Sequence, residues 1–259
     1  MKKTLSKHAF YSKISKIKGE MREIMIKDNY QKMYDTIEKL SSWQYIDTLK
    51  LTVRDIERFC QNLELDVERK ASNEKIEIQS QIPIMATHFY YYLYEYKHIP
   101  TQKEFISFYI RANEKWIRKN VPTNELKTAL LGRLSRTYPS LLRDIHFYHV
   151  LKESGEFTNV LYNLRYDLFG KVDIFVQRQG IAYGLQLRTK TANSNKYYIK
   201  KPNRNAIPAK SVLLDLPIDL SQAKSIKTKK NWLKLYDVRK VQETIALIQQ
   251  HQKKVMSVS

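Results

Sequence analysis

Through roughly the first 150 residues, apolar positions recur every third or fourth residue, the period of a helix with one buried face. Ile14, Ile17, Met21, Ile24 and Met25 mark such a stripe among lysines and glutamates within residues 1–40. Thr52 stands where a cap is needed, ahead of a helix through Val53, Ile56, Phe59 and Leu63. Residues 68–80 are charged and polar and read as an exposed loop or short element. Residues 88–96 form an aromatic helix, broken at His98-Ile99-Pro100. Thr101 with Glu104 three residues on has capping-box spacing, and Phe105, Phe108 and Tyr109 give the next helix its apolar face. This pair reads either as a helix-turn-helix or as a plain helical hairpin. Thr123 starts another helix to about Arg136, and Tyr138-Pro139-Ser140 predicts a break. An amphipathic helix follows through Leu141, Leu142, Ile145, Phe147, Tyr148, Val150 and Leu151, ending at Ser154-Gly155.

After that the period falls from 3.6 to 2, the signature of strands. Residues 159–169 alternate as one strand and residues 171–176 as a second. Gln177-Arg178-Gln179-Gly180 predicts a hairpin turn into a third strand over residues 181–188. Residues 211–216 form a fourth, buried strand, and residues 236–252 a last helix. The expected class is α/β (α+β), with a helical region over 1–136 and a mixed domain over 137–259.

Charge changes the picture of what the chain meets. Lys and Arg number 46 against 26 Asp and Glu, a net charge of +20. Residues 185–259 carry 16 Lys/Arg and 4 Asp/Glu, net +12, so the surplus is concentrated in the last third. Such a patch suits nucleic acid, an acidic membrane surface or an acidic protein, and nucleic acid is the expected partner. The lone cysteine, Cys60, excludes a disulfide framework and a multi-thiolate zinc site, and it fits a reducing cytoplasm. The charged start Met1-Lys2-Lys3 has no apolar run behind it, so no secretory signal is expected, and no stretch is apolar enough to span a membrane.

Candidate chemistry lies on the second and third strands. Pairing Gln177 with Gly180 sets Asp173 opposite Gly184 and Gln186 opposite Lys171. Opposed residues of an antiparallel pair share a face. Asp173, Gln186 and Arg188 then share a polar face beside the room left by Gly184, and Ile174, Val176, Leu185 and Leu187 share an apolar one. Asp173 in Gly170-Lys-Val-Asp173-Ile-Phe-Val, followed thirteen residues later by Gln186-Leu-Arg188, resembles the PD-(D/E)xK nuclease superfamily, with Gln-x-Arg in place of Glu-x-Lys. The likeness covers about residues 140–220 and is greatest to the endonuclease subunit of heteromeric transposases.

That resemblance implies a restriction-endonuclease-like αβββ-β-α core and metal-dependent hydrolysis of DNA phosphodiester bonds. It implies Mg2+ (or Mn2+) on Asp173, Glu153 and Gln186, with Arg188 at the phosphate and Lys171 as a migrated ammonium. Arg stays charged and clamps phosphate but does not act as a base. Glu156 and Asp167 are the substitutes if the acid assignment slips. A mobile element, phage or defence complex would be the setting, with a partner protein or a dimer both open. The alternative on the same fold is a catalytically inactive DNA-binding protein. His146 and His149 share a helix face, and buried roles suit them better than a metal pair. Lys190, Lys196, Lys200, Lys201 and Arg204, interleaved with Tyr197, Tyr198, Asn193, Ser194 and Asn203, are the candidate phosphate contacts. Lys224, Lys227, Lys229 and Lys230 form a second basic run before Trp232.

Overall fold

A computed structural model of the protein describes residues 49–66, 71–77, 82–164, 166–167, 172–189 and 211–257. The stripe predicted in residues 1–40, Lys171, and the basic segment with Lys190, Lys196, Lys200, Lys201 and Arg204 lie outside the described residues.

Seven helices and two sheets make up the described part, a mixed α/β fold. The first helix, α1 (Val53–Gln61), opens with a capping box between Thr52 and Asp55. A short α2 (Glu74–Glu77) lies within the expected charged segment. Helix α3 (Met85–Tyr96) is buried on most sides, from His88 through Leu93. It ends with Lys97 in the left-handed conformation, its N–H on the Leu93 carbonyl at 3.0 Å. Helix α4 (Gln102–Ala112) starts with the Thr101–Glu104 capping box, and α5 (Glu114–Asn120) follows it. Phe89 of α3 meets Phe105 of α4 edge to face, with ring centroids 5.8 Å apart.

The predicted break at Pro139 does not occur. Helix α6 (Asn124–Glu153) runs for 30 residues straight through it. A proline inside a helix leaves the carbonyl four residues earlier without its donor. Here that carbonyl is Ser135, and the side-chain amide of buried Gln102 donates to it at 3.2 Å. The neighbouring Tyr138 is pinned as well, its hydroxyl donating to the Pro100 carbonyl at 2.5 Å. Helix α6 is the central element, touching α1 to α4, the sheets and the last helix.

The main sheet has the order β1 (Asn159–Leu161), β2 (Ile174–Arg178), β3 (Ile181–Thr189), β4 (Ser211–Ile218). Pairs β1–β2 and β2–β3 are antiparallel, and β3–β4 is parallel. The strand expected over 159–169 is thus only three residues long. Asn163 ends it: its side-chain oxygen and carbonyl accept from the Tyr166 N–H, and the carbonyl also accepts from Asp167, forming a helical turn instead.

The hairpin register also differs from the expected one. Arg178 pairs with Ile181, and Gln179 and Gly180 alone make the turn, both at positive φ (52° and 78°). Two positive φ values are what a tight two-residue hairpin turn requires. The pairing is shifted by two residues, so face parity survives, with Phe175 opposite Gly184 and Ile174 opposite Leu185. The room expected beside Gly184 is filled, since a Cβ there would meet Val172 at 3.0 Å. The apolar face of Ile174, Val176, Tyr183 and Leu185 joins the buried core with Leu214 and Leu216 of β4.

Past β4, the second basic run is part of a two-stranded ribbon, β5 (Lys224–Lys227) and β6 (Trp232–Leu235), paired antiparallel. The last helix, α7 (Val238–Met256), is capped by the Asp237 side chain and buries Val241, Thr244, Ile245 and Ile248. One continuous core runs from Ile56 to Ile248. Among the described residues no helix is long and apolar enough to cross a membrane.

Candidate active site

Asp173 leaves the strand alternation. Leu185 is already the partner of Ile174, yet its carbonyl takes the Asp173 N–H at 2.9 Å. Two residues facing one is a bulge, and a bulge re-aims the side chain. The Asp173 carboxylate accepts the Leu187 N–H at 2.6 Å, doing the work of a backbone carbonyl where β2 begins. That bond fixes one oxygen at the end of the sheet.

Two further acids lie, with Asp173, within electrostatic reach of the same buried tyrosine, Tyr90. Asp167 sits on the Asn163-capped turn, and the Tyr162 hydroxyl donates to it at 2.8 Å. Asp144 projects from α6, in the row Leu141, Asp144, Tyr148, Leu151 that otherwise faces the core. Burial pushes the Asp144 carboxyl up to about 7; the Asp167 charge adds to this and Arg143 opposes it. The charges of all three acids bear on buried Tyr90, whose ring stacks on Tyr162 with centroids 4.4 Å apart. Burial, with Asp144 and Asp173, likewise raises the Tyr236 hydroxyl against the pull of Arg143. Tyr90 and Tyr236 are thus buried within electrostatic reach of carboxyl groups from α6, the turn after β1, and the residue before β2.

The sequence-derived residues distribute unevenly around this centre. Asp173 belongs to it. Glu153 does not: it lies nine residues beyond Asp144, about 13 Å along the helix, and accepts the Val53 N–H at 2.7 Å at the start of α1. Gln186 and Arg188 occupy the sheet side of Phe175 and Gly184, level with Asp215 and Pro217 of β4. Arg188 pairs there with Asp215 at 3.1 Å. Glu156 faces Arg178 at 3.8 Å. His146 and His149 are both buried, and His146 is engaged by Glu57 at 3.2 Å.

Asp144 and Asp215 went unread in the sequence. The signal for Asp144 was a single acid inside an apolar helical row. Asp215 was absorbed into an apolar strand.

Carboxylates such as Asp144, Asp167 and Asp173 are the donor type that a hard divalent cation takes, but these three are not spaced as a three-ligand site. Burial, reinforced by the Asp167 charge, outweighs Arg143 and keeps Asp144 partly protonated near neutrality. The set Asp173, Glu153 and Gln186 does not suit one ion, because Glu153 is committed to α1. Among the described residues no three acidic, imidazole or thiol groups stand within chelating reach of each other. The chain matches no protein-family model, no curated protein and no solved structure.

A second polar locus lies between α1 and the ribbon. Lys224 donates to Glu57 at 2.5 Å, and Glu57 also meets His146. Burial works against the Glu57 charge, but these two hydrogen bonds hold its carboxyl below the usual range. Burial holds His146 below its ordinary value despite Glu57. A shallow cavity of about 550 Å³ opens beside them, lined by Glu57, Gln61, Ile226, Lys227 and Thr228 among others.

Proposed function

We propose that the protein is a metal-dependent DNA endonuclease that hydrolyses phosphodiester bonds around Asp144, Asp167 and Asp173. The observation that carries this reading is the buried Asp144 carboxyl, raised to about 7 by burial and by Asp167, together with Asp173, whose oxygen is fixed by the Leu187 N–H and whose charge reaches the same buried tyrosines, Tyr90 and Tyr236. Asp173 would offer an oxygen to Mg2+ or Mn2+, which when bound supplies Lewis acidity toward phosphate and a more acidic water; among the described residues no three acidic groups stand within chelating reach, so water and the phosphate would fill the rest of its shell. The chain's own groups do the rest. Buried Tyr90, Tyr162 and Tyr236 would shield one side of the acids from water, Tyr162 orients Asp167, and Arg143 offsets part of the Asp144 charge. The helix, three strands, further strand and last helix follow in the order the nuclease resemblance implies, with the β5–β6 ribbon added before the last helix, and the +20 charge suits a polyanionic substrate. A mobile element, phage or defence complex is the setting in keeping with that resemblance.

One observation favours a second reading, a nuclease-fold protein that binds DNA without cutting it. Arg188 is neutralised by Asp215, and Gln186 is uncharged, so the third strand presents no free cation to phosphate.

Supercoiled plasmid incubated with Mg2+ or Mn2+ separates the two. The endonuclease reading expects nicking by the parent and none by Asp173→Asn or Asp144→Asn. The asparagine at 173 keeps an oxygen for the Leu187 N–H, so loss of cutting is not loss of fold. Salt-sensitive gel shifts by all three proteins without cutting would establish the binder.

A further inference from the structure

The β5–β6 ribbon has an inner and an outer face. Ile226, Leu233 and Leu235 point inward and are buried. Ser225, Lys227, Trp232 and Lys234 point outward, with Lys227 opposite Trp232 and Ser225 opposite Lys234. Trp232 is 64% exposed. A large indole on a flat outer face beside two lysines has no packing task to perform.

The ribbon is held rigidly. Its turn closes on itself, the Thr228 N–H and hydroxyl both donating to the Asn231 carbonyl at 2.7 and 2.9 Å. The turn is tied to the chain leaving α1: the Lys229 N–H donates to the Leu63 carbonyl at 3.0 Å and the Asn231 amide to the Leu65 carbonyl at 2.8 Å. Lys230 reaches Glu64 at 2.9 Å and Lys224 is taken by Glu57, so two of the basic run are spent on structure. Lys227 and Lys229 are exposed, Lys229 with its charge also felt by Glu64, while Lys234 rests on the Ser225 hydroxyl at 2.6 Å. The shallow cavity beside α1 begins at Ser225 and Lys227 and continues along Gln61 and Thr228.

We propose that this ribbon is a single-strand nucleic-acid platform, with a base stacked on Trp232 and the flanking phosphates on Lys227, Lys229 and Lys234. An aromatic face amid cations is the arrangement that binds unpaired bases without regard to sequence, since every base has a π-face. A duplex keeps its bases stacked inside and leaves the indole nothing to stack on. A membrane surface is disfavoured, because interfacial anchoring needs a broad apolar face and this one carries a single aromatic residue. Preorganisation by the anchored turn spares the entropy of ordering the platform on binding. The platform shares a nucleic-acid partner with the proposed endonuclease but none of its acidic residues, and stands whether or not the protein cuts.

The test is the affinity of the full-length protein for fluorescein-labelled oligothymidylate and for a duplex of equal length, over a salt series. Trp232→Ala is expected to weaken single-strand binding by about 5- to 150-fold with little change for duplex, and Trp232→Phe to recover part of it. Its salt slope should match the parent's. Lys227→Ala with Lys234→Ala should lower the slope by about 1.4, at about 0.7 per phosphate on a single strand. The exposed positions leave thermal unfolding unchanged, which separates lost contact from lost fold. Equal single-strand affinity in parent and Trp232→Ala overturns the proposal, as does loss in Trp232→Ala of binding to phosphatidylserine vesicles alone. A plasmid nicked by Trp232→Ala at the parental rate, with single-strand affinity unchanged, sinks the platform and leaves the endonuclease standing. A Trp232-dependent single-strand affinity without cutting does the reverse.

Discussion

Replacing Gln102 by alanine removes two hydrogen bonds at once, one of them holding a proline inside a helix. The Gln102 amide nitrogen donates to the Ser135 carbonyl, and its oxygen accepts the Asp66 N–H at 2.6 Å. Asp66 is exposed, so water replaces that bond and the loss is about 1 kcal/mol. The Ser135 carbonyl is buried in α6 and has no helical donor, because residue 139 is proline. Leaving it bare costs about 1–3 kcal/mol. The sum, about 2–4 kcal/mol, corresponds to a fall in Tm of roughly 4–16 °C for a chain of this size. Equilibrium urea unfolding of parent and variant reads it directly. Pro139→Ala sharpens the assay by restoring an N–H for Ser135. In that background Gln102→Ala should cost about 1–2 kcal/mol less, a coupling measured by the double-mutant cycle. A loss under about 0.5 kcal/mol, or the same loss in both backgrounds, would refute the account of how α6 passes Pro139.

Three further outcomes are expected. His88 is buried, with Nδ1 facing the Ile84 carbonyl at 2.7 Å and Nε2 facing the Asn113 amide at 2.8 Å, and burial pulls its pKa down to about 4. The unfolded imidazole takes a proton near 6.5 and the folded one only near 4. Stability is therefore full above that window and falls as pH drops through it, by about 1.4 kcal/mol per unit and about 3 kcal/mol in all. Urea midpoints across that range check this, and His88→Gln should flatten them. Cys60 is fully buried, its thiol pushed up to about 12 by burial; Ellman's reagent should label it only on unfolding, and rapid labelling of the native protein would contradict that burial. Gly180→Ala forces a Cβ onto φ +78° with nothing nearby to clash, so the expected cost is conformational alone, about 1 kcal/mol by thermal melt.

Features set by neighbours a few residues apart were legible in the sequence. The capping boxes at Thr52 and Thr101 need only residues three apart, and both formed as read. The order of strands and last helix followed from the change in period. What escaped reading depends on distant partners. Pro139 reads as a break until Gln102, 37 positions earlier in the chain, is seen beneath it. The hairpin register slipped by two because Gln179 is an uncommon residue for a tight turn at positive φ. Parity survived, but the bulge took Asp173 out of the alternation that had placed it with Gln186. Asp144 was hidden by its row, since an acid among Leu141, Tyr148 and Leu151 acquires meaning only once Asp167 is beside it. The β5–β6 ribbon looked like a charge run because only Ile226, Leu233 and Leu235 betray its inner face.

The stitching of the ribbon's turn to Leu63 and Leu65 bears on how the chain is born. The Asn231–Leu65 bond joins positions 166 apart. During synthesis the carbonyls leaving α1 wait for strands made near the end of translation, and Glu57 waits for Lys224 across a separation of 167. Contacts of such span are slow to form, since loop closure precedes any gain. A ribosome-stalled chain ending before residue 224 should accordingly stay open to proteases around residues 57–65, and close there only when the ribbon has been released.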